Sequence, residues 1–357
     1  MAMRVVAAMS GGVDSSVAAC LLADAGHDVV GVSMQLYDQR NPNESFGSCC
    51  SLDDLYDARQ VAAAIGIPHY ILNFEEKFRE TVVRNFVDEY AAGRTPIPCV
   101  HCNGDLKFAT LVERAAGFDA GAVATGHYAQ VGFDEDARRY QLRRGVDRDK
   151  DQSYFLFSLT QDQLAHAMFP IGHLTKHDVR TYAERRGLLT ANKPDSHEIC
   201  FVPDGDAAGF VGRRLPEGAR DGEVVDSSGK VLGRHTGIHR YTVGQRRGLG
   251  ISAAIPLYVL KLEPDAGRVV VGPREELGGR EFTARDVNWI AGTPPDGPRR
   301  ITARIRHRHT DAAATVTSDG GTRARVIFDE PQTAITPGQA AVFYDGETVL
   351  GGGWIDR

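Results

Sequence analysis

The sequence predicts a doubly wound α/β domain followed by two β-rich domains. Three observations carry that expectation. Strand-like and helix-like runs alternate over the first 205 residues. Short β-rich runs between turns replace them beyond that point. A glycine-rich loop, Ser10-Gly11-Gly12-Val13-Asp14-Ser15-Ser16, falls between the first predicted strand and the first predicted helix. The chain has 357 residues, too many for one ordinary core and enough for two or three domains at roughly 100–200 residues each. Hydrophobic residues at 42% and charged residues at 25% lie near the soluble globular average, which excludes a disordered chain, a collagen and a membrane bundle. The clean apolar stretch near the start, Val17 to Ala23, is far short of the ~20 residues of a membrane span. Too short an apolar run follows Met1-Ala2-Met3-Arg4 for a secretory signal. A cytoplasmic protein is expected.

The elements follow in order. Arg4 to Met9 is an apolar run ending in glycines, as a buried parallel strand is. Val17 to Ala25 has helical character and stops at Gly26. Val29 to Leu36 is the next strand. Leu52 to Ile65 carries apolar residues at helical spacing and ends at Gly66 and Pro68. His69 to Phe74 is a strand, Phe78 to Tyr90 and Leu106 to Ala116 are helices, and Ala120 to Ala129 is a strand. Beyond residue 205 the runs Glu223–Val225, Tyr258–Leu262, Arg268–Val271, Ile301–Ile305, Arg323–Phe328 and Ala340–Tyr344 are β-rich, with turns such as Asp226-Ser227-Ser228-Gly229 between them.

In the loop, Gly11 and Gly12 let the backbone turn sharply and approach a ligand. Ser15 and Ser16 bring hydroxyls, and the helix that follows presents free N–H groups. A Gly-Gly turn alone is most often structural; the whole string reads as an anion site. It is neither G-x-G-x-x-G nor G-x-x-x-x-G-K-[ST]. With no lysine in the loop, Asp14 would repel a γ-phosphate unless Mg²⁺ intervened. Cleavage at an α-phosphate, with pyrophosphate held by the loop, suits it better.

Six cysteines occur: Cys20, Cys49, Cys50, Cys99, Cys102 and Cys200. Structural disulfides are not expected in a cytoplasmic chain. Cys20 reads as packing inside an apolar helix, and Cys49-Cys50 as a loop pair with no role. Cys99-Val100-His101-Cys102 is either redox-active or half of a metal site, and no second C-x-x-C completes a zinc ribbon. Cys200 ends a polar run and precedes Phe201. Two thiols brought together by folding could pass sulfur, one carrying a persulfide and the other closing a disulfide. His101 and His197 are near in sequence as candidate bases, although surface or packing is the commoner role of a lone histidine.

Further strings join the loop: Ala91-Ala92-Gly93-Arg94-Thr95-Pro96, Cys102-Asn103 with Leu106-Lys107-Phe108, Ala124-Thr125-Gly126-His127-Tyr128, Lys150-Asp151-Gln152-Ser153-Tyr154-Phe155-Leu156, Lys193-Pro194-Asp195-Ser196, Ile199-Cys200-Phe201, Tyr241-Thr242-Val243-Gly244-Gln245 and Thr336-Pro337-Gly338-Gln339-Ala340. With these, the chain resembles the tRNA-specific 2-thiouridylases, the MnmA family of the PP-loop ATP pyrophosphatases, over essentially its whole length. The resemblance implies a PP-loop domain at about 1–205, resembling the adenine nucleotide α-hydrolases, a small β-rich domain at about 206–277 and a C-terminal, tRNA-contacting β-barrel at about 278–357. It implies a tRNA-uridine 2-sulfurtransferase: ATP, with Mg²⁺, adenylates the C2 oxygen of the wobble uridine, and sulfur replaces it. Ala8, Met9, Ser10, Gly11, Gly12, Val13, Asp14 and Ser15, with Met34 and Gly126, would hold ATP. Cys200 would carry the persulfide, loaded by an upstream sulfur-relay protein or cysteine desulfurase, and Cys102 would be the second catalytic thiol. His127, Lys150, Asp151, Gln152, Arg306, His307 and Gln339 would contact tRNA, and a monomer is expected. The family string has Asn-Pro-Asp where this chain has Ile97-Pro98-Cys99. These three residues would still touch the target base, but a thiol replaces the acid. A second reading therefore has Cys99, Cys102 and Cys200 holding an iron–sulfur cluster. Rivals are a PP-loop ligase making an amide or amidine, which leaves both thiols unexplained, and a tRNA-binding protein whose loop only senses nucleotide.

The net charge of −6 speaks against a nucleic-acid partner only as an average. Residues 1–205 hold 20 Lys and Arg against 28 Asp and Glu, a net of −8; residues 206–357 hold 21 against 19, a net of +2. Two arginine-rich runs, 138–150 and 299–308, are the candidate RNA grips. In the second, Arg304, Arg306 and Arg308 would share one face of a strand.

Overall fold

A computed structural model of the chain describes residues 2–37, 51–195, 199–202, 205–215 and 218–356. Cys49, Cys50 and His197 lie outside the described residues. Seven strands come from the front of the chain: β1 (Arg4–Ala8), β2 (Asp28–Gln35), β3 (His69–Asn73), β4 (Ala122–Ala124), β5 (Ala129–Asp134), β6 (Arg139–Arg144) and β7 (Ala167–Met168). Five of them form a parallel sheet in the order β3-β2-β1-β4-β7. Alternate residues of β1 serve opposite faces. Val5 and Ala7 pack with the helix Val13–Asp24 and the helix Lys176–Arg185. Val6 packs with Phe78, Phe86, Leu106 and Phe201 on the other face. Cover on both faces is why β1 reads as a continuous apolar run.

Three local expectations are corrected. The first helix begins at Val13, four residues earlier than its apolar run, because Gly12 is its N-cap. The two middle helices also start earlier, and each contains a π turn: Arg79–Val83 follows Glu75–Phe78, and Cys102–Phe108 follows Pro98–His101. The strand expected over Ala120 to Ala129 is broken, since β4 ends at Ala124 and the chain passes the glycine-rich loop before β5 begins.

Behind this unit, β8 (Gly222–Asp226), β9 (Val231–His235), β10 (Tyr258–Glu263) and β11 (Arg268–Gly272) form a four-stranded sheet ordered β10-β11-β8-β9. The last six strands are β12 (Gly278–Trp289), β13 (Arg299–Arg304), β14 (Ala312–Ser318), β15 (Ala324–Thr333), β16 (Ala340–Asp345) and β17 (Thr348–Ile355). They run β12-β15-β14-β13-β16-β17, and pairing of β12 with β17 closes the barrel. The hairpin β5–β6 leaves the parallel sheet and joins the barrel wall, with Arg143 opposite Thr348 and Leu142 opposite Val349. The hairpin, which follows Gly126 closely in sequence, is thus built into the C-terminal sheet.

Candidate active site

The loop from Ser10 to Ser16 sits at the C-terminal edge of β1, beside the first turn of the helix Val13–Asp24. Its shape is fixed internally. The Ser10 amide donates to Ser15 Oγ at 3.1 Å, and Ser15 and Ser16 hydroxyls donate to the Gly12 carbonyl at 3.1 and 2.8 Å. Gly11 has φ +75°, and a Cβ there would lie 2.7 Å from the carbonyl carbon of Asp54. A Cβ on Gly126 would lie 2.6 Å from the Ser15 amide nitrogen. Both glycines are required by close backbone approach. No side chain caps the helix at Gly12, so its first N–H groups are available to an anion. Met9 and Met34 are buried, in the clusters on opposite faces of the parallel sheet.

The lysine that the loop lacks arrives from elsewhere. Lys176 Nζ donates to both carboxylate oxygens of Asp14, at 2.7 and 2.8 Å, and lies 2.8 Å from Asp195. The Tyr128 hydroxyl donates to Asp14 at 2.8 Å. Burial, and then Asp14 itself, push the Tyr128 phenol up, which keeps it a donor. Asp195 also accepts from Lys150 Nζ at 2.7 Å and from Arg180 at 3.1 Å. Burial opposes its ionisation, but hydrogen bonds from Lys150 and Lys176 outweigh it and hold Asp195 at about 2. On the other flank, Lys193 donates to Asp54 and Asp57, each at 2.6 Å.

The thiols take different environments. Cys20 is buried, and burial pushes its thiol up to about 11, which suits packing and not chemistry. Cys102 is 8% exposed and opens the π turn; Cys200 is half-buried; Cys99 is exposed. Cys102 and Cys200 belong to one packed cluster, on the face of the sheet that also holds Val6 and Phe201. Folding therefore places on the same face of the sheet two thiols that lie 98 positions apart in sequence. π turns recur at functional sites, and here the Asn103 side-chain amide donates to the Phe155 carbonyl at 3.3 Å and accepts from Lys107 at 3.1 Å. The His101 ring stacks on Trp354 of the barrel at 4.6 Å and 7°, with Nδ1 2.7 Å from Asp105. Its ring is committed to that contact.

The residues expected to meet the base or RNA fall into two groups. Ile97 is half-buried, Pro98 buried and Cys99 exposed, so the thiol alone of the three is fully presented. Arg306 and Arg308 are exposed. They lie on the turn after β13, which ends at Arg304, so the single strand face expected for three arginines does not form. Arg304 instead reaches Asp311 at 2.8 Å. His307 packs its ring 4.5 Å from Phe155. Gln339 donates to the Thr95 carbonyl at 2.9 Å and Gln152 accepts from the Tyr128 amide at 3.0 Å. His127 bonds Thr125 at 2.7 Å, and burial, then Lys107, push it down to about 3. Asp151 is 2% exposed, its carboxylate taken by the amides of Gly145 and Ser153 at 3.0 and 3.1 Å and by the Ser153 hydroxyl.

Three family models match in chain order. The tRNA methyl transferase HUP domain covers residues 3–204, the tRNA methyl transferase PRC-barrel domain 208–273 and the aminomethyltransferase β-barrel domain 279–355. A tRNA-specific 2-thiouridylase MnmA of Solibacter usitatus is 53% identical, over 99% of each chain. The MnmA of Geobacter metallireducens is 51% identical over 99% of this chain and 96% of its own. The chain belongs to the MnmA family. The doubly wound domain with a β-rich middle and a closing barrel is that family's architecture, as the sequence led one to expect.

In this MnmA-family chain the iron–sulfur reading does not fit the donor set. Among the described residues, no three or more of His, Cys, Asp and Glu converge to hold a metal, and Cys99 is at the surface while Cys102 is enclosed. A Mg²⁺ bound through phosphate oxygens needs only one or two carboxylates; Asp14, the carboxylate on the loop, is engaged by Lys176 and Tyr128. No helix among the described residues is long and apolar enough to cross a membrane. Lys176, Tyr128, Lys193 and Asp195 were not singled out as individual site residues from sequence. Tyr128, Lys193 and Asp195 lie in strings that carry the family resemblance, whereas Lys176, 162 positions from Asp14, has no local signal.

Proposed function

We propose that the chain converts the wobble uridine of tRNA to 2-thiouridine at the expense of ATP, acting as a cytoplasmic monomer. The observation that carries this reading is the MnmA family match at 53% identity over 99% of the chain, joined to a phosphate loop and two thiols on one α/β unit. The uridine C2 oxygen attacks the α-phosphorus of ATP, and pyrophosphate leaves into the loop. The free N–H groups after Gly12 and the cation of Lys176 stabilise its charge. Mg²⁺, when bound with the nucleotide beside Asp14, supplies further charge neutralisation. Cys200 carries a terminal sulfur from a sulfur-relay protein or a cysteine desulfurase. That sulfur bonds to C2 and AMP departs with the former C2 oxygen. The Cys102 thiolate then attacks Cys200 Sγ; the sulfur–sulfur bond breaks, sulfur stays on C2, and a Cys102–Cys200 disulfide remains for an external thiol to reduce.

Ile97, Pro98 and Cys99 face the splayed-out base in this reading. His127, Lys150, Gln152, Arg306, His307 and Gln339 form the tRNA-facing set, with exposed Arg306 and Arg308 gripping phosphate; Asp151, expected among them, is buried. The enclosed Asp151 serves by holding the backbone at Gly145 and Ser153, and the half-buried His127 by its bond to the Thr125 hydroxyl.

Reconstitution with ATP, Mg²⁺, a sulfur source and unmodified tRNA, followed by nucleoside mass analysis, tests the scheme. Wild type is expected to form 2-thiouridine and to release pyrophosphate only with substrate tRNA. Cys102→Ala and Cys200→Ala are expected to release pyrophosphate yet form no 2-thiouridine, while Cys99→Ala stays active. Full activity in either of the first two variants would sink the two-thiol scheme.

A further inference from the structure

The two-thiol scheme uses Cys102 of the Cys99-Val100-His101-Cys102 string and gives Cys99 no chemical step. Both thiols sit on one helical turn. Pro98–His101 is α-helical, Cys102 continues it with φ −59° and ψ −40°, and the Cys102 amide donates to the Cys99 and Pro98 carbonyls. Helical geometry sets residues three apart about 60° from each other around the axis, with Cα atoms about 5 Å apart. That lies inside the range of roughly 4.4–6.8 Å that a disulfide spans. The turn is pinned by the two residues between the thiols. Val100 is 1% exposed and shares a core with Ala340, Val342 and Tyr344 of the barrel, and the His101 ring stacks on Trp354. Access differs sharply: Cys102 is enclosed, whereas Cys99 is exposed. The string is thus a fixed thiol pair with one member inside and one at the surface. A disulfide between enclosed Cys102 and half-buried Cys200 offers a reducing protein little to attack.

We propose that Cys99 is a third catalytic thiol, which resolves the Cys102–Cys200 disulfide left by each turnover. The Cys99 thiolate attacks Cys102 Sγ. The Cys102–Cys200 bond breaks, a Cys99–Cys102 bond forms, and Cys200 leaves as a thiolate that takes a proton from solvent. One disulfide replaces another, so the exchange needs no oxidant. Cys200 is then free to be loaded again, and the disulfide now has one sulfur at the surface. A dithiol reductant of the surroundings reduces it and returns Cys99 and Cys102 as thiols. A resolving cysteine poised beside a reactive one is a recurrent device of thiol chemistry. The thiol that stands in place of the family's aspartate thus moves the site of reduction outward by one helical turn. In its absence, the Cys102–Cys200 disulfide is left to small thiols that can reach it. The inference rests on the two-thiol reading above.

The test is disulfide mapping after a single turnover of the full-length protein. Cys200 is loaded by a cysteine desulfurase with cysteine, reductant is removed, and ATP, Mg²⁺ and unmodified tRNA are added. The thiols are then blocked with N-ethylmaleimide, and tryptic peptides are weighed beside the nucleosides. Cys99 and Cys102 share the tryptic peptide 95–107. In wild type that peptide is expected to carry an internal disulfide, with Cys200 alkylated. Cys99→Ser is expected to lose the internal disulfide and to hold Cys102 linked to Cys200. A Cys102–Cys200 disulfide that persists in wild type, with Cys99 alkylated, overturns the proposal and leaves the two-thiol reading standing. An internal disulfide formed equally without loaded sulfur also overturns it, being simple oxidation. If Cys99→Ser does not fold, the wild-type map decides alone. No 2-thiouridine, or 2-thiouridine formed with all three thiols alkylated, overturns the two-thiol reading and this inference with it.

Discussion

Asp14 was the residue that fitted worst with a phosphate loop read from sequence. The structure resolves the conflict by giving it a lysine and a tyrosine from distant parts of the chain. Gly126 is the complementary case, a residue noticed only through the family resemblance whose purpose is purely spatial. Gly126→Ala places a methyl group against the Ser15 amide and must push loop backbone aside. Displacement of about 1 Å at a reacting centre costs on the order of 100-fold in rate, so pyrophosphate release is expected to fall by about that factor while the melting temperature stays near wild type. An active Gly126→Ala would show that the loop does not hold the nucleotide.

Among elements, the hairpin β5–β6 decides most. Arg144 at its end is 2% exposed, faces Asp151 at 3.5 Å, pairs with Asp311 and lies over the Tyr344 ring at 3.5 Å. This ionic hub joins the hairpin to the barrel and sets the start of the 150–156 segment. Removing one partner from a buried pair costs about 3–5 kcal/mol, and Arg144→Met is expected to lose that much stability in urea unfolding. A loss below about 1 kcal/mol, the range of an exposed pair, would mean that the hub is solvated. The π turns belong to this scale too. The apolar spacing of Leu106, Leu111 and Ala115 was legible, but a π turn changes the hydrogen-bond step without changing residue type, so composition could not show where it begins.

At the scale of the molecule, the net charge of −6 is a poor guide to the partner, because exposed arginines are distributed locally. Arg143 and Arg148 lie on the hairpin side, Arg306 and Arg308 on the barrel. Arg148 pairs with Glu347, whereas Arg306 donates to the Thr333 carbonyl. Removing one cation from a phosphate lowers the salt slope of binding by about one unit. Arg306→Ala with Arg308→Ala is therefore expected to weaken tRNA binding and flatten its dependence on salt by about one to two units, roughly one for each arginine. An unchanged slope would remove the turn after β13 from the interface.

The sequence by itself determined the strand–helix alternation, the loop with its obligatory glycines, and the change to β structure near residue 205. Those are local properties, set by apolar period and backbone freedom within a few residues. The tertiary structure alone decided that β5 and β6 belong to the barrel, that Asp151 faces inward, that His101 stacks on Trp354, and that Lys176 joins Asp195 to the loop. The partners concerned are far apart in the chain: 162 positions separate Asp14 from Lys176, and 205 separate Arg143 from Thr348. No local pattern encodes which distant charge, strand or ring a side chain will meet.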